Sequence, residues 1–153
     1  MLTRVSLPEV TVIGLEGEVK AGENVVARLW DEANARFAEV APLAKVDQQG
    51  RPVGVWGAMS DKSRAFKPWE NNFSEGLYLA GVACRDDAAP PAGWTKWVLP
   101  ASEYAVFPNT GDDAFQRGLA QLRAEGLSLV GAAQDFTDPA AGQTYIYYPV
   151  RRL

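Results

Sequence analysis

Hydrophobic residues recur along the chain with two different periods. From Val10 to Val19, VTVIGLEGEV, β-branched and apolar residues crowd together as they do in a strand. Lys20 to Asn24 reads as a turn, with Asn24 as the candidate N-cap of a helix. From Val25 to Val40 the period changes. Val26, Leu29, Trp30, Ala33, Phe37 and Val40 fall three and four apart, which predicts an amphipathic helix over that stretch. Strand patterns return at Pro52–Met59, PVGVWGAM, and at Gly76–Cys84, GLYLAGVAC. The polar loop between them, Ser60 to Glu75, is studded with Phe66, Trp69 and Phe73.

After a Pro/Ala/Gly connector at Asp86–Gly93 the order starts again. Trp94 to Pro108 gives strand pieces broken at Pro100. Asp112 or Asp113 is placed to cap a helix carrying Phe115, Leu119 and Leu122, and Gly126 ends it. LSLVGAAQDF and TYIYYPV supply two more strands, the last from Thr144 to Val150. Each half therefore reads strand, helix, strand, strand. The expected fold is α+β, a single domain over 1–153 with pseudo-repeats of about 1–86 and 93–153. Two such units pair into one antiparallel sheet with both helices on one face.

That leaves the other face to be covered. TYIYYPV puts Tyr145 and Tyr147 on one side of the strand and Ile146, Tyr148 and Val150 on the other. The chain has six Phe, five Trp and five Tyr, more rings than two short helices need as packing partners. A ligand, a second subunit or the aromatic loop is expected on the second face. Trp56, flanked two positions away by Gly54 and Ala58, and Tyr104, near the Pro100 break, are expected to line a groove there.

Composition narrows the chemistry. With 47% hydrophobic residues the chain can bury a real core. Its net charge is −4, with Lys and Arg scattered, which argues against direct nucleic-acid binding. No apolar run reaches the roughly 18–20 residues that span a bilayer, so no membrane association is expected. The start, MLTRVSLPEV, lacks a leader pattern, and the expected location is cytoplasmic. The lone Cys84 reads as a small core residue. There is no histidine, which removes histidine-based triads and the commonest zinc ligands. No cofactor or metal is implied, and any chemistry falls to carboxylates, tyrosines, lysines or water.

Several motifs have a plain structural reading. Pro108-Asn109-Thr110-Gly111 resembles an anion loop, but Pro108 lacks an N–H and Asp112 and Asp113 repel an anion, so the stretch reads as the hinge of the second unit. Glu70 and Glu75 flank Trp69 and Phe73; Glu75 opens the strand that holds Tyr78. Glu16 and Glu18 point to one face of the first strand, either as edge charges or as partners for a cation. Asp135, in GAAQDFTDP, reads as a turn-forming acid.

VIGLEGEV, ARLWDEANARF, VGVWG, YLAGVA, LPASEYAVFPNTG and YIYYPV, in that order, resemble the GyrI-like effector-binding domain across essentially the whole chain. That resemblance implies tandem β-α-β-β units related by a pseudo-twofold. It also implies a groove between the units, lined by aromatics and often holding a central acid. Ligands of such domains are mostly amphipathic, aromatic and often cationic. Where the family often carries a glutamate followed by an aromatic, this chain has QDFTDP, and Asp135 stands in one carbon shorter. The expected function is therefore binding of a small amphipathic, cationic aromatic compound. Expected groove residues are Trp30, Trp56, Trp69, Glu75, Tyr78, Trp97, Tyr104, Asp135 and Tyr145. The alternatives are hydrolysis of reactive electrophiles by carboxylate and tyrosine, and a protein-interaction module of gyrase-inhibitor type with a regulatory protein partner.

Overall fold

The alternating β-branched and aromatic positions build one eight-stranded sheet in the computed structural model, which describes residues Met1–Leu153. The strands are β1 (Thr3–Leu7), β2 (Val10–Val19), β3 (Val55–Ser60), β4 (Gly76–Ala83), β5 (Thr95–Leu99), β6 (Ser102–Pro108), β7 (Gln134–Asp138) and β8 (Gln143–Arg152). Helix α1 (Val25–Ala35) lies between β2 and β3 in the chain, and α3 (Ala114–Ala124) between β6 and β7; α2 (Glu70–Phe73) is a single distorted turn. No helix is long and apolar enough to cross a membrane.

Every neighbouring pair is antiparallel, in the order β1-β6-β8-β7-β3-β4-β2-β5. The order is the same read from either end. β2, β4 and β3 occupy in one half the places that β6, β8 and β7 occupy in the other. This is the expected pseudo-twofold α+β architecture, and its axis passes near the central pair Trp56–Phe136. Two edge strands are exchanged between the halves. β1 pairs with β6, Thr3 opposite Val106, and β5 pairs with β2, Val10 opposite Leu99. β1 has no clear signature in the sequence, because it is five residues long and its partner is about a hundred residues away.

The helices cover one face. Ile13, Leu15, Tyr78, Ala80 and Val82 pack under α1, and Ala105, Ile146 and Tyr148 pack under α3 with Leu119 and Leu122. The second face is not an open groove. The sheet curls so that Trp56, Leu79, Trp97, Tyr104 and Tyr147 pack against one another. Phe66, from the loop after β3, meets Trp97 edge-on with ring centroids 5.7 Å apart. Of the loop's three rings Phe66 covers part of this face, while Trp69 and Phe73 pack on the helix face.

The helix ends differ from the expected ones in detail. α1 stops at Ala35, and two short 3-10 turns, Phe37–Glu39 and Ala41–Leu43, continue the apolar pattern to the buried Val40. Pro42 falls in the first turn of the second, where its missing N–H leaves no bond unmade. Asn24 and Asp113 hold the cap positions without a side-chain capping bond; Asp113 instead accepts a hydrogen bond from Arg117 Nε at 2.9 Å. Gly126, with φ of 73°, closes α3, and Leu127 N donates to Leu122 O at 2.9 Å.

The loop after β3 is held by a buried acid. Asp61 accepts hydrogen bonds from Ala65 N at 3.0 Å, Ser60 Oγ at 3.2 Å and Lys67 N at 3.3 Å, and from Ser63 Oγ. Burial works to raise its pKa, but these donors outweigh burial and hold it down to about 2. Asp61→Asn is expected to lower stability by about 1–3 kcal/mol at neutral pH, because donors arranged for a carboxylate lose an acceptor. The folded pKa lies below the unfolded value of roughly 3.9, so the contribution is present above pH 4 and is lost as pH falls toward 2. Thermal melts of the two proteins should therefore converge between about pH 4 and pH 2.

Candidate functional site

On the helix face, where the two halves meet, the sheet leaves a cleft of about 300 Å³. Its floor is Met59 of β3, Asp135 of β7 and Ile146 of β8. Those strands are neighbours, and Asp135 pairs with Ile146 on one side and Gly57 on the other. Trp69, Phe73 and Phe115, the last in the first turn of α3, line its sides. Asn109, Gly111 and Asp112 form a rim, so the Pro108–Gly111 stretch is both the strand-to-helix turn and an edge of the cleft.

The aromatic wall depends on an unusual backbone. Asn71, Asn72 and Phe73 have φ of 52°, 58° and 63°. Asn tolerates this left-handed region, but a bulky residue such as Phe rarely adopts it. The turn swings Phe73 onto Phe115, with ring centroids 5.2 Å apart and planes at 67°. Trp69 is fixed separately: its Nε1 donates to Leu77 O at 3.0 Å. Local strain of this kind concentrates at binding sites.

Two carboxylates line the cleft, Asp112 at the rim and Asp135 on the floor. Asp135 is half-buried as a residue, yet burial dominates at its carboxyl and pushes its pKa up to about 6; a hydrogen bond from the Tyr78 hydroxyl pulls the other way. No Lys or Arg forms an ion pair with Asp135. Tyr78 reaches it across Gly57. A Cβ at residue 57 would lie 1.9 Å from the Tyr78 hydroxyl oxygen and 3.2 Å from Asp135 Cβ, so only glycine leaves room. Behind Tyr78, Trp30 of α1 donates its Nε1–H to the Tyr78 oxygen at 2.9 Å.

Of the residues expected from sequence, Trp69 and Asp135 line the cleft, Tyr78 touches Asp135 from behind, and Trp30 touches Tyr78. The others stand elsewhere. Trp56 and Tyr104, expected in a groove opposite the helices, are 3% and 2% exposed and packed in the core of that face. Trp97 shares that core and donates to Glu16 Oε1 at 2.8 Å. Glu16 also accepts from Arg64 Nε at 3.0 Å, so it already has its cation. Glu75 sits at the foot of β4, bridged through its backbone to Glu70, and Tyr145 hydrogen-bonds Gln143 outside the cleft. Met59, Phe115, Ile146 and the Asn109–Asp112 rim were not anticipated. Phe115 and Ile146 read in sequence as ordinary helix-facing core. What exposes them is the space left by their small neighbours Ala132 and Ala133.

No protein-family model and no curated protein sequence matches the chain. Several solved structures share its fold. SAV2435, in a structure bound to tetraphenylphosphonium, superposes with a TM-score of 0.66 at 17% identity, covering 99% of this chain and 94% of that one. The EcmrR C-terminal domain gives 0.64 at 11% identity, covering 100% and 98%. The EcmrR chain in its DNA complex gives 0.65 at 12% identity, and there the match covers 100% of this chain and 58% of EcmrR. The chain thus shares the fold of SAV2435 and the EcmrR C-terminal domain, which is consistent with the resemblance drawn from sequence.

Gly57→Ala is expected to push the Tyr78 hydroxyl off Asp135 and to cost about 1–3 kcal/mol through overpacking. A lowered melting temperature, together with a shifted Trp30 indole N–H resonance, is the expected result. An unchanged resonance would show that the close approach over residue 57 is not needed.

Proposed function

We propose that this chain, acting as a single effector-binding domain, binds a small amphipathic aromatic cation in the cleft between Asp135, Trp69 and Phe115. The observation that carries the reading is the carboxylate of Asp135, set on an apolar floor without a protein cation. A buried charge without a counter-ion is unfavourable, and a cationic ligand relieves it. An anion or a neutral compound of the same shape does not. The rings add to this. Trp69, Phe73 and Phe115 offer faces and edges to a flat or propeller-shaped aromatic ligand, with cation–π attraction of about 0.5–2 kcal/mol each. A volume of about 300 Å³ suits one compact ligand. The SAV2435 complex with tetraphenylphosphonium gives a precedent in the same fold.

The pKa of Asp135 sets the pH response. With a folded value of about 6, the carboxyl is protonated below that pH and ionised above it. A permanent cation prefers the ionised form, so it binds more weakly as pH falls through 6 and releases a proton when it binds near that pH.

Tetraphenylphosphonium and tetraphenylborate are matched in shape and opposite in charge. The phosphonium is expected to bind at least tenfold more tightly by calorimetry at pH 8, a difference of roughly 1.4 kcal/mol or more. Asp135→Asn should bring the two within a few-fold of each other and flatten the pH dependence. Equal binding of the two ions by the unaltered protein would exclude charge selection by this cleft.

A further inference from the structure

The cleft's floor is connected to a helix that does not line it. Trp30 belongs to α1, on the far side of Tyr78 from the cavity, and forms no part of the cleft wall. Yet its indole is in edge contact with the Tyr78 ring, centroids 6.4 Å apart at 78°, and its Nε1–H donates to the Tyr78 oxygen at 2.9 Å. A phenol oxygen has one hydrogen to donate and accepts through its lone pairs. An indole N–H only donates. With Trp30 occupying the acceptor side, the Tyr78 hydrogen is directed away from α1 and toward the carboxylate across Gly57.

We propose that Trp30 is a positioning residue of the site: by donating to the Tyr78 oxygen it aims the Tyr78 hydroxyl hydrogen at Asp135, and so holds that carboxyl in its ionised, cation-accepting form. The assignment rests on the reading of the cleft as a cation site for its consequence, but the relay itself is a property of the ligand-free protein. Geometry gives it one direction. Trp30 donates to the Tyr78 oxygen at 2.9 Å, and that hydroxyl lies over Gly57 beside Asp135, the one side left to receive its hydrogen. Two such bonds in series polarise each other, so the first strengthens the second.

The groups facing Asp135 leave little else to set its ionisation. From β4 it meets Tyr78, which burial and the Asp135 charge keep protonated. From β8 it faces Tyr148, also pushed up, first by burial and then by the same carboxylate; the Tyr148 hydroxyl is committed to Phe115 O at 2.8 Å. From β3 it faces Gly57, which has no side chain, and at the cleft rim stands a second acid, Asp112. No lysine or arginine pairs with it. The Tyr78 hydroxyl is therefore the one group here that favours the carboxylate, and Trp30 is what orients it.

The test is a titration of the Asp135 carboxyl carbon by NMR in the whole, ligand-free chain, compared among the unaltered protein, Trp30→Phe, Tyr78→Phe and the double variant. Trp30→Phe is expected to raise the Asp135 midpoint by about half a pH unit or more, and Tyr78→Phe by at least as much. The double variant should match Tyr78→Phe alone, because Trp30 acts through Tyr78. If Trp30→Phe does not fold, benzothienylalanine at position 30 keeps the fused ring, removes only the N–H, and should give the same rise. An unchanged midpoint without the Trp30 N–H overturns the proposal. So does a further rise when Trp30→Phe is added to Tyr78→Phe. Tetraphenylphosphonium titration of the same proteins separates this from the binding reading. A shifted Asp135 midpoint with no phosphonium binding by the unaltered protein supports the relay and overturns the cation site.

Discussion

A carboxylate placed among apolar side chains without a basic partner is unfavourable to the fold, and the cleft is organised around one. Asp135 lies on β7 next to β3, where the two halves of the sheet meet. Its position needs three things at once. The central strands must pair in the register that sets Gly57 opposite it, residue 57 must have no side chain, and Tyr78 must lie across that gap. Proteins that keep such a strained charge usually do so for a ligand, since removing it would stabilise the chain. Here the sign is definite. The folded pKa is above the unfolded one, so stability is lost as pH rises from about 4 to about 6 and Asp135 ionises; the proposed cation would restore it.

The pseudo-twofold shows how one half came to carry the site. The axis near Trp56–Phe136 relates Asp135 to Val55 and Ile146 to Val82, pairs that face each other across equivalent strands. Around Val55 and Val82 the space under α1 is filled by Trp30 and Trp94, leaving only about 40 Å³. Around Asp135 and Ile146 a cleft of about 300 Å³ stays open, lined by the small residues Ala132 and Ala133. The same sheet thus holds a packed, neutral hollow on one side and an open, charged cleft on the other. The ring of Trp30 serves both: it fills the first and reaches the second through Tyr78.

How much is legible in the sequence depends on how local each feature is. β2, β4 and β8 announce themselves by runs rich in apolar, β-branched or aromatic residues, and the two helices by their three-and-four spacing. The order of the units is legible because the connector at Asp86–Gly93 is compositionally distinct. The choice of face is not. Trp56, Trp97 and Tyr104 look like a free aromatic surface only if the sheet is flat; curling turns that surface inward, and Phe66 covers part of it. The edge pairings are long-range: β1 has no local signature, and β5, though legible as a strand, gives no sign that its partner is β2. Trp69 and Asp135 stand out by residue type and neighbours. Phe115 and Met59 do not, since what places them on the cleft is the absence of bulk around them.

A crystal structure of the chain grown with tetraphenylphosphonium tests the central claim most directly. The expected result is the phosphonium in the cleft, its rings against Trp69 and Phe115, and its charged centre nearer to the Asp135 carboxylate than to any other acid. A phosphonium bound on the far face among Trp56, Trp97 and Tyr104, or a cleft that stays empty while the compound sits elsewhere on the surface, would contradict it.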